Sequence, residues 1–488
     1  MTYTISAPIV TGPLPVTATS YPFSTAARSR RPLDLSRFGF VEEEYLITGD
    51  AGVYERRDDA VERIDLEPYV TRVLVRRPQE QPSGTVWMSV LNASQGYDIE
   101  DDWRRAWNYI IGQRDTYVAV TAKPIQASAL RQFDALRYRD LRFGYQPPLL
   151  DAEPGWDPFQ TLADCEEGLA WDILAQTAVW VRSGGVGPTP DHVFLMGQSQ
   201  SAVYTNTFLT YFHDLLRDGE GAHLFDGYLP GVGATLVRSL HQREQQRNPL
   251  ALGDAGGSFS PEKVPAAQID VPVISVTSDG DTYLFPGGAD TFADGDGPLR
   301  RHWHIAGSPH SDARSSVIPD NDEVLAAHRL PRVMDQAFVE GLNVLPIEAA
   351  ITASMTALKR WVTEGIPAAP SAFFDSADGR FLNDGPTRAG GVRFGMVANP
   401  IADFHGAQAT NPVIGAMTLH DRDEVLRRFP REQDYLDACD LVDDALEEQG
   451  YLDADGRRLL RAVERELWAR VVDGQPALEV TPQEPIWG

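Results

Sequence analysis

Along Val70–Arg76 (VTRVLVR) apolar and polar residues alternate, as expected of a strand with one face against a core. Glu43–Thr48 is a second β-rich stretch ahead of it. Thr85–Leu91 (TVWMSVL) is apolar nearly throughout, which predicts a strand covered on both faces, as in the interior of a parallel sheet. Trp103–Gln113 is helix-like, Tyr117–Thr121 (YVAVT) reads as a strand, and apolar residues recur at helical spacing through Leu162–Arg182. Val193–Met196, Phe225–Leu229, Val271–Thr277 and Arg301–Ala306 add further short strands, separated by segments long enough for helical crossovers. This alternation predicts an α/β fold with a mostly parallel central sheet and helices on both faces.

The pattern changes at both ends. Residues 1–40 are rich in Pro, Ser and Thr and read as an extended arm, followed by the β-rich extension noted above. The α/β domain proper is expected over 41–367. Within it, 231–268 has no strand signal and lies where either a lid or a plain surface excursion would fall. After a helical Ile347–Gly365, residues 368–488 pass through a Pro/Gly-rich stretch and turn helical from Asp421 to Val472, which predicts a mostly helical C-terminal extension packed on the core.

Charge narrows the partners. With 70 acidic against 43 basic residues in 488, the formal charge is -27, which repels nucleic acid and an anionic membrane surface alike. The densest acidic stretch, Asp434–Glu448, reads as a solvated helical face. Cys165 and Cys439 are far apart and in no redox or zinc spacing, so two free thiols are expected, and no cofactor is called for. Met1–Ser20 has no basic leader pattern and is interrupted by Pro8, Pro13 and Pro15, and no run reaches the roughly 18 apolar residues of a membrane span. A cytoplasmic location is the expectation, with oligomeric state left open.

The strongest chemical signal is Val193–Ala202 (VFLMGQSQSA), which reads as strand, sharp turn, helix. Small residues on both sides of the turn allow a strained backbone that lifts the hydroxyl of Ser199 above the sheet edge. A serine hydroxyl needs an imidazole to take its proton, and the imidazole needs a carboxylate to fix its tautomer. Candidates follow in that order. Val271–Thr277 leads into Ser278-Asp279-Gly280-Asp281, and Asp281 is the preferred acid with Asp279 as the alternative. Arg301–Ala306 leads into Gly307-Ser308-Pro309-His310, which makes His310 the base. The backbone N–H of Gln200 and that of Ala93, in the loop leaving the Thr85–Leu91 strand, are the candidate oxyanion donors. Asn92, Ser94 and Tyr97 on that loop, Gln198 beside the nucleophile and Tyr283 after the acid are the candidate substrate-binding residues. His302 and His304 share one face of a strand but no third ligand lies near in sequence, so they are taken as structural and no metal is expected.

At these residues the chain resembles a bacterial family of large α/β-hydrolase-domain proteins, serine esterase-like and carrying G-x-S-x-S at the nucleophile. The resemblance rests on Tyr69–Pro78, on Leu91–Asp98 with Asp102-Trp103, on Gly197–Ser201, on Ile305–Asp312 and on Gly390–Phe394, and it accounts for Ser201 where the general pattern has Gly. It implies an α/β-hydrolase fold and hydrolysis of a small-molecule carboxylic ester through a covalent acyl-enzyme. The family commonly has Glu in the turn occupied here by Asp279, which leaves the acid open between Asp279 and Asp281. An acyltransferase or amidase using the same residues, or a catalytically silent binding protein on the same scaffold, are the alternatives.

Overall fold

The computed structural model describes residues 2–57, 60–242, 259–260, 269–285, 288–292, 297–312, 319–331 and 339–477. The chain forms two units. One comprises Met1–Tyr228, Leu236–Lys263 and Val317–Arg332, and the other Leu229–Thr235, Val264–Ser316 and Val333–Gly488.

The first unit is built on the strands β1 (Ile9–Thr11), β2 (Phe40–Arg57), β3 (Ala60–Pro78), β4 (Thr85–Val90), β5 (Thr116–Val120) and β6 (His192–Gln198). Their spatial order is β6-β4-β5-β3-β2-β1. The strands β6, β4 and β5 run parallel, and β3, β2 and β1 continue the sheet in antiparallel pairing. The helices α1 (Asp101–Gly112), α2 (Pro124–Phe133) and α3 (Ala170–Arg182) lie between the parallel strands in sequence, and α4 (Gln200–Thr207) follows β6. The predicted helix over 162–182 begins later, at Ala170, after a single 3-10 turn at Glu167–Leu169 capped by the Glu166 carboxylate.

The alternation in β3 suggests one solvated face, yet Arg72 and Arg76 are buried along with their apolar neighbours. Their charges are met by carboxylates from elsewhere in the unit. Arg72 pairs with Glu44 and, at 2.9 Å, with Asp98, while Arg76 pairs with Glu42 at 2.6 Å and with Glu100. The backbone carbonyls of Phe23 and Ser24 accept further bonds from the two guanidinium groups, so the N-terminal arm is tied down over this face. The arm also pairs in two places, Ile9–Thr11 with β2 and Tyr3–Thr4 with Leu216–Arg217.

The chain passes from the first unit to the second along β7 (Gly227–Gly231). In the second unit β8 (Val273–Ser278) and β9 (Arg300–Ile305) are parallel. The far edge of β9 is covered by the C-terminal extension: Ala372 N–H donates to His302 O at 2.8 Å and Val392 N–H to His304 O at 2.7 Å, which removes an open strand edge. That extension begins with short two-stranded hairpins and becomes helical only later, in α6 (Arg422–Arg428), α7 (Glu432–Gln449) and α8 (Ala454–Val472), with α5 (Glu348–Glu364) preceding it. In the segment 231–268, Val237–Arg238 pairs with Phe259–Ser260, and 243–258 and 261–268 lie outside the described residues. Both cysteines are free. Among the described residues no helix is long and apolar enough to cross a membrane.

Candidate active site

Ser199 lies in the first unit, where β6 gives way to α4. The buried run Val193–Met196 fixes the strand, and Ser199 then takes φ 58° and ψ −123° before the helix begins at Gln200. A positive φ at a non-glycine residue costs about 1–3 kcal/mol and persists only where the surroundings enforce it. They do so here. A Cβ on Gly197 would sit 2.5 Å from the backbone oxygen of Ser201, so only glycine lets strand and helix approach this closely. Ser201 is itself fully buried in that contact. The N-terminus of α4 directs its backbone dipole toward the serine, which favours negative charge there.

The loop after β4 is braced from several sides. The Asn92 side chain donates to Gln198 O at 3.1 Å and accepts from Ser94 N–H at 2.7 Å, and Gln126 donates to Leu91 O at 2.9 Å and Asn92 O at 3.2 Å. Gly96 has φ 77°, and a Cβ there would meet the Trp156 ring at 2.2 Å. Ala93 N–H, a candidate oxyanion donor, points to the Gln200 side-chain oxygen at 3.1 Å. The structure therefore brings Asn92, Ala93, Ser94, Gln198, Ser199 and Gln200 together. Tyr97 belongs to the same loop but is buried, with its hydroxyl donating to Gln95 at 2.5 Å. Gln198 is buried as well, its side-chain oxygen accepting from Arg105.

His310, Asp281 and Asp279 lie in the second unit, in the loops after β9 and β8. The two carboxylates have different partners. Asp281 Oδ1 is 2.6 Å from His310 Nδ1, and its Oδ2 accepts from Ser278 N–H at 2.7 Å. Asp279 turns the other way: its Oδ2 accepts from Gly307 N–H at 3.0 Å and from Arg388 N–H at 2.7 Å. Burial pushes the Asp279 carboxyl up to about 6 despite those two bonds. Gly280 between them is needed because a Cβ would lie 2.5 Å from His310 N. The Phe285 ring packs edge-on against the imidazole, with centroids 5.9 Å apart. Tyr283 is about half exposed and lies beneath the Arg388 guanidinium at 4.1 Å, so of the candidate substrate residues it belongs to the His310 side.

His302 and His304 are both buried. His304 Nδ1 accepts from Phe374 N–H at 3.1 Å and its Nε2 faces Phe292 O at 3.2 Å, which fixes a neutral tautomer; burial pulls its value down to about 3. His302 Nε2 accepts from Arg300 at 3.2 Å. Elsewhere in the first unit, His213, Asp214 and His223 offer ligand atoms within 4.8 Å of one another. The two imidazoles stack face to face at 3.9 Å and 11°, so their in-plane lone pairs run side by side instead of converging on one ion.

One residue was missed by sequence reasoning. Lys123, just past β5, is fully buried and donates to Gln200 Oε1 at 2.5 Å. Its signal is compositional: Lys123, Lys263 and Lys359 are the chain's only lysines, and every other one of its 43 basic residues is arginine.

Among curated proteins there is no match. Among solved structures, a methylesterase is 15% identical with a TM-score of 0.30, over 55% of this chain and 50% of that one. An alpha-beta serine hydrolase homologue from Coxiella burnetii is 8% identical with a TM-score of 0.27, over 50% and 84%. A cold-adapted esterase from an Arctic intertidal metagenomic library is 8% identical with a TM-score of 0.27, over 54% and 84%. Likeness at that level carries no argument about activity. The sequence profile described as alpha/beta hydrolase domain matches residues 10–461, nearly the whole chain, and the chain belongs to that family.

Proposed function

We propose that this hydrolase cleaves carboxylic esters of small molecules, with Ser199 as nucleophile, His310 as general base and Asp281 as the acid that holds the imidazole. The observation that carries the reading is the enforced positive φ of Ser199 at the start of α4, because a strained serine between strand and helix has no structural use that a glycine would not serve better. Ser199 Oγ adds to the ester carbonyl as its proton passes to His310 Nε2. The tetrahedral oxyanion is met by backbone N–H groups of Gln200 and Ala93. Its collapse expels the alcohol, which takes the proton from His310. Water then repeats the sequence on the acyl-enzyme and releases the acid. Asp281 at 2.6 Å from Nδ1 keeps that nitrogen protonated, so that Nε2 is the basic one. Asn92, Ser94 and Tyr283 border the substrate, while Tyr97 and Gln198, both buried, support the site from beneath.

The test is covalent labelling. A fluorophosphonate should phosphonylate the wild-type chain at Ser199 and leave Ser199→Ala unlabelled, with p-nitrophenyl ester turnover lost in the same variant. An unlabelled wild type, or a variant that still turns over esters, would overturn the reading.

A further inference from the structure

Four backbone amides of the loop after β4 are already engaged within the fold. Asn92 N–H donates to Ile99 O, Ser94 N–H to the Asn92 side chain, Gly96 N–H to Ala93 O, and Ala93 N–H to the Gln200 side chain. The last of these is the informative one. Gln200 Oε1 is a carbonyl oxygen, it belongs to the residue directly after Ser199, and it accepts from two donors at once: Ala93 N–H at 3.1 Å and Lys123 Nζ at 2.5 Å. A neutral amide oxygen receives here the pair of donors that a developing oxyanion would need.

From this arrangement we infer that Gln200 Oε1 is a resident stand-in for the substrate's acyl oxygen, and that Lys123 is a catalytic residue, a charged oxyanion donor uncovered when the ester displaces the glutamine side chain. The inference rests on the serine-hydrolase reading above. As Ser199 Oγ bonds to the acyl carbon, the π electron pair of the C=O moves onto oxygen, and the Lys123 ammonium joins the Gln200 and Ala93 N–H groups in meeting that charge. The pair returns to the C=O as the alcohol leaves with the proton held by His310. No proton need leave Lys123.

Its setting suits that role. Lys123 is held by its neighbours: its backbone N–H donates to Gln126 Oε1 at 3.1 Å, and Gln126 is the same side chain that braces Leu91 and Asn92. Its ammonium stands 4.4 Å over the Tyr204 ring, which anchors the cation without neutralising it. The groups that face it are Arg238, which also stands 4.4 Å from the Tyr204 ring, and the carboxylates Glu167, Asp98 and Asp101. Glu167 is bonded to Arg238 at 2.5 Å and Asp98 to Arg72 at 2.9 Å, so both are committed elsewhere. Burial first, and then the Arg238 cation, hold the Lys123 ammonium well below the ordinary lysine value. In a chain that uses arginine for its buried structural ion pairs, a fully buried lysine marks a place for a compact point charge instead of a fork.

The experiment measures p-nitrophenyl acetate hydrolysis from pH 6 to 10 by wild type, Lys123→Met, Lys123→Arg and Gln200→Ala, with rates normalised to fluorophosphonate-titrated serine. Lys123→Met should lower kcat by roughly 10²- to 10³-fold per titrated site, as for loss of one oxyanion donor, with KM little changed. The wild-type rate should fall at alkaline pH below the ordinary lysine value of about 10.4, as the ammonium deprotonates. That limb should vanish in Lys123→Arg, whose charge does not titrate, and this variant decides the matter if Lys123→Met fails to fold. Gln200→Ala should lower KM severalfold, because the seat no longer has to be vacated. A Lys123→Met kcat within about twofold of wild type, an alkaline limb that persists in Lys123→Arg, or a Gln200→Ala KM that stays or rises would each overturn the inference. Absence of serine titration in the wild type would instead overturn the reading beneath it.

Discussion

Around Ser199 the pose proposed as reactive is written into the backbone: φ is 58°, Gly197 allows the close turn, and the buried strand β6 and helix α4 hold its two ends. Around His310 it is written into side-chain and loop hydrogen bonds, with Asp281 on the imidazole at 2.6 Å and Asp279 gripping Gly307 and Arg388. The backbone solution stores strain and tolerates little change in shape. The hydrogen-bond solution stores little strain but depends on the chemical identity of each partner. Substitutions that change shape should therefore hurt the first half most, and isosteric ones that change only donors and acceptors should hurt the second.

The largest expected effect removes the proposed reactive groups themselves. Ser199→Ala and His310→Ala should each lower kcat by about 10⁴-fold or more, and combining them should add little if they act as one unit. Thermal melting of Ser199→Ala should show no loss of stability, since alanine removes only a hydroxyl from a half-buried position. Additive losses in the double variant would break the idea that the two halves serve one reaction.

Next in size is the isosteric test of the second half. Asp281→Asn keeps the shape but can place an N–H against His310 Nδ1 and favour the wrong tautomer, with an expected cost of about 10⁴ in kcat. Asp279→Asn keeps an oxygen able to accept from Gly307 and Arg388, and should cost about tenfold or less. Reversal of the two would mean that Asp279 is the acid. The matching shape test of the first half is Gly197→Ala. With 2.5 Å to Ser201 O the backbone must shift, and a displacement approaching 1 Å at the nucleophile should cost about 10²-fold in kcat/KM. A Gly197→Ala variant at wild-type activity would show that the elbow is less tightly determined than its geometry implies.

Much of this was legible in the sequence, and what was not has physical reasons. The strand positions follow from short apolar runs such as Thr85–Leu91, which have few other places to go in a folded chain. Ser199 and His310 stand out as candidates because small residues and chain order constrain them locally. Arg72 and Arg76 look solvent-facing because their partners, Glu44 and Glu42 on the neighbouring strand and Asp98 and Glu100 in the loop before α1, are 24 to 34 residues away and meet them only in the fold. Asp279 and Asp281 are separated by one glycine and both follow a strand, so only the path of the loop after β9 distinguishes them. Lys123 carries no local signal in the sequence, since its contact with Gln200 spans 77 positions. The two-residue hairpins over 376–388 are too short to produce any period.

The smallest expected effect separates the halves by stability instead of rate. Each contains a buried carboxyl that the proposed chemistry does not use: Asp102 in the first, pushed up to about 7 by burial, and Asp279 in the second, at about 6. For a carboxyl the ordinary value is about 3.9. A folded value above the unfolded one means the native state prefers the proton. The stabilising contribution is then fully present below about pH 4 and is lost as pH rises through the folded value. Raising pH from 5 to 8 should therefore weaken the fold by up to a few kcal/mol through Asp102, and by less through Asp279. Ser89 donates to Asp102 Oδ2 at 2.6 Å, a bond that an asparagine oxygen can still accept. Asp102→Asn should accordingly flatten the decline of the urea midpoint between pH 5 and 8, and Asp279→Asn should flatten it less. Equal flattening by the two, or none, would break the ranking of the halves, because it would mean that the first does not hold its spare carboxyl higher than the second, whose bonds to Gly307 and Arg388 pull it back down.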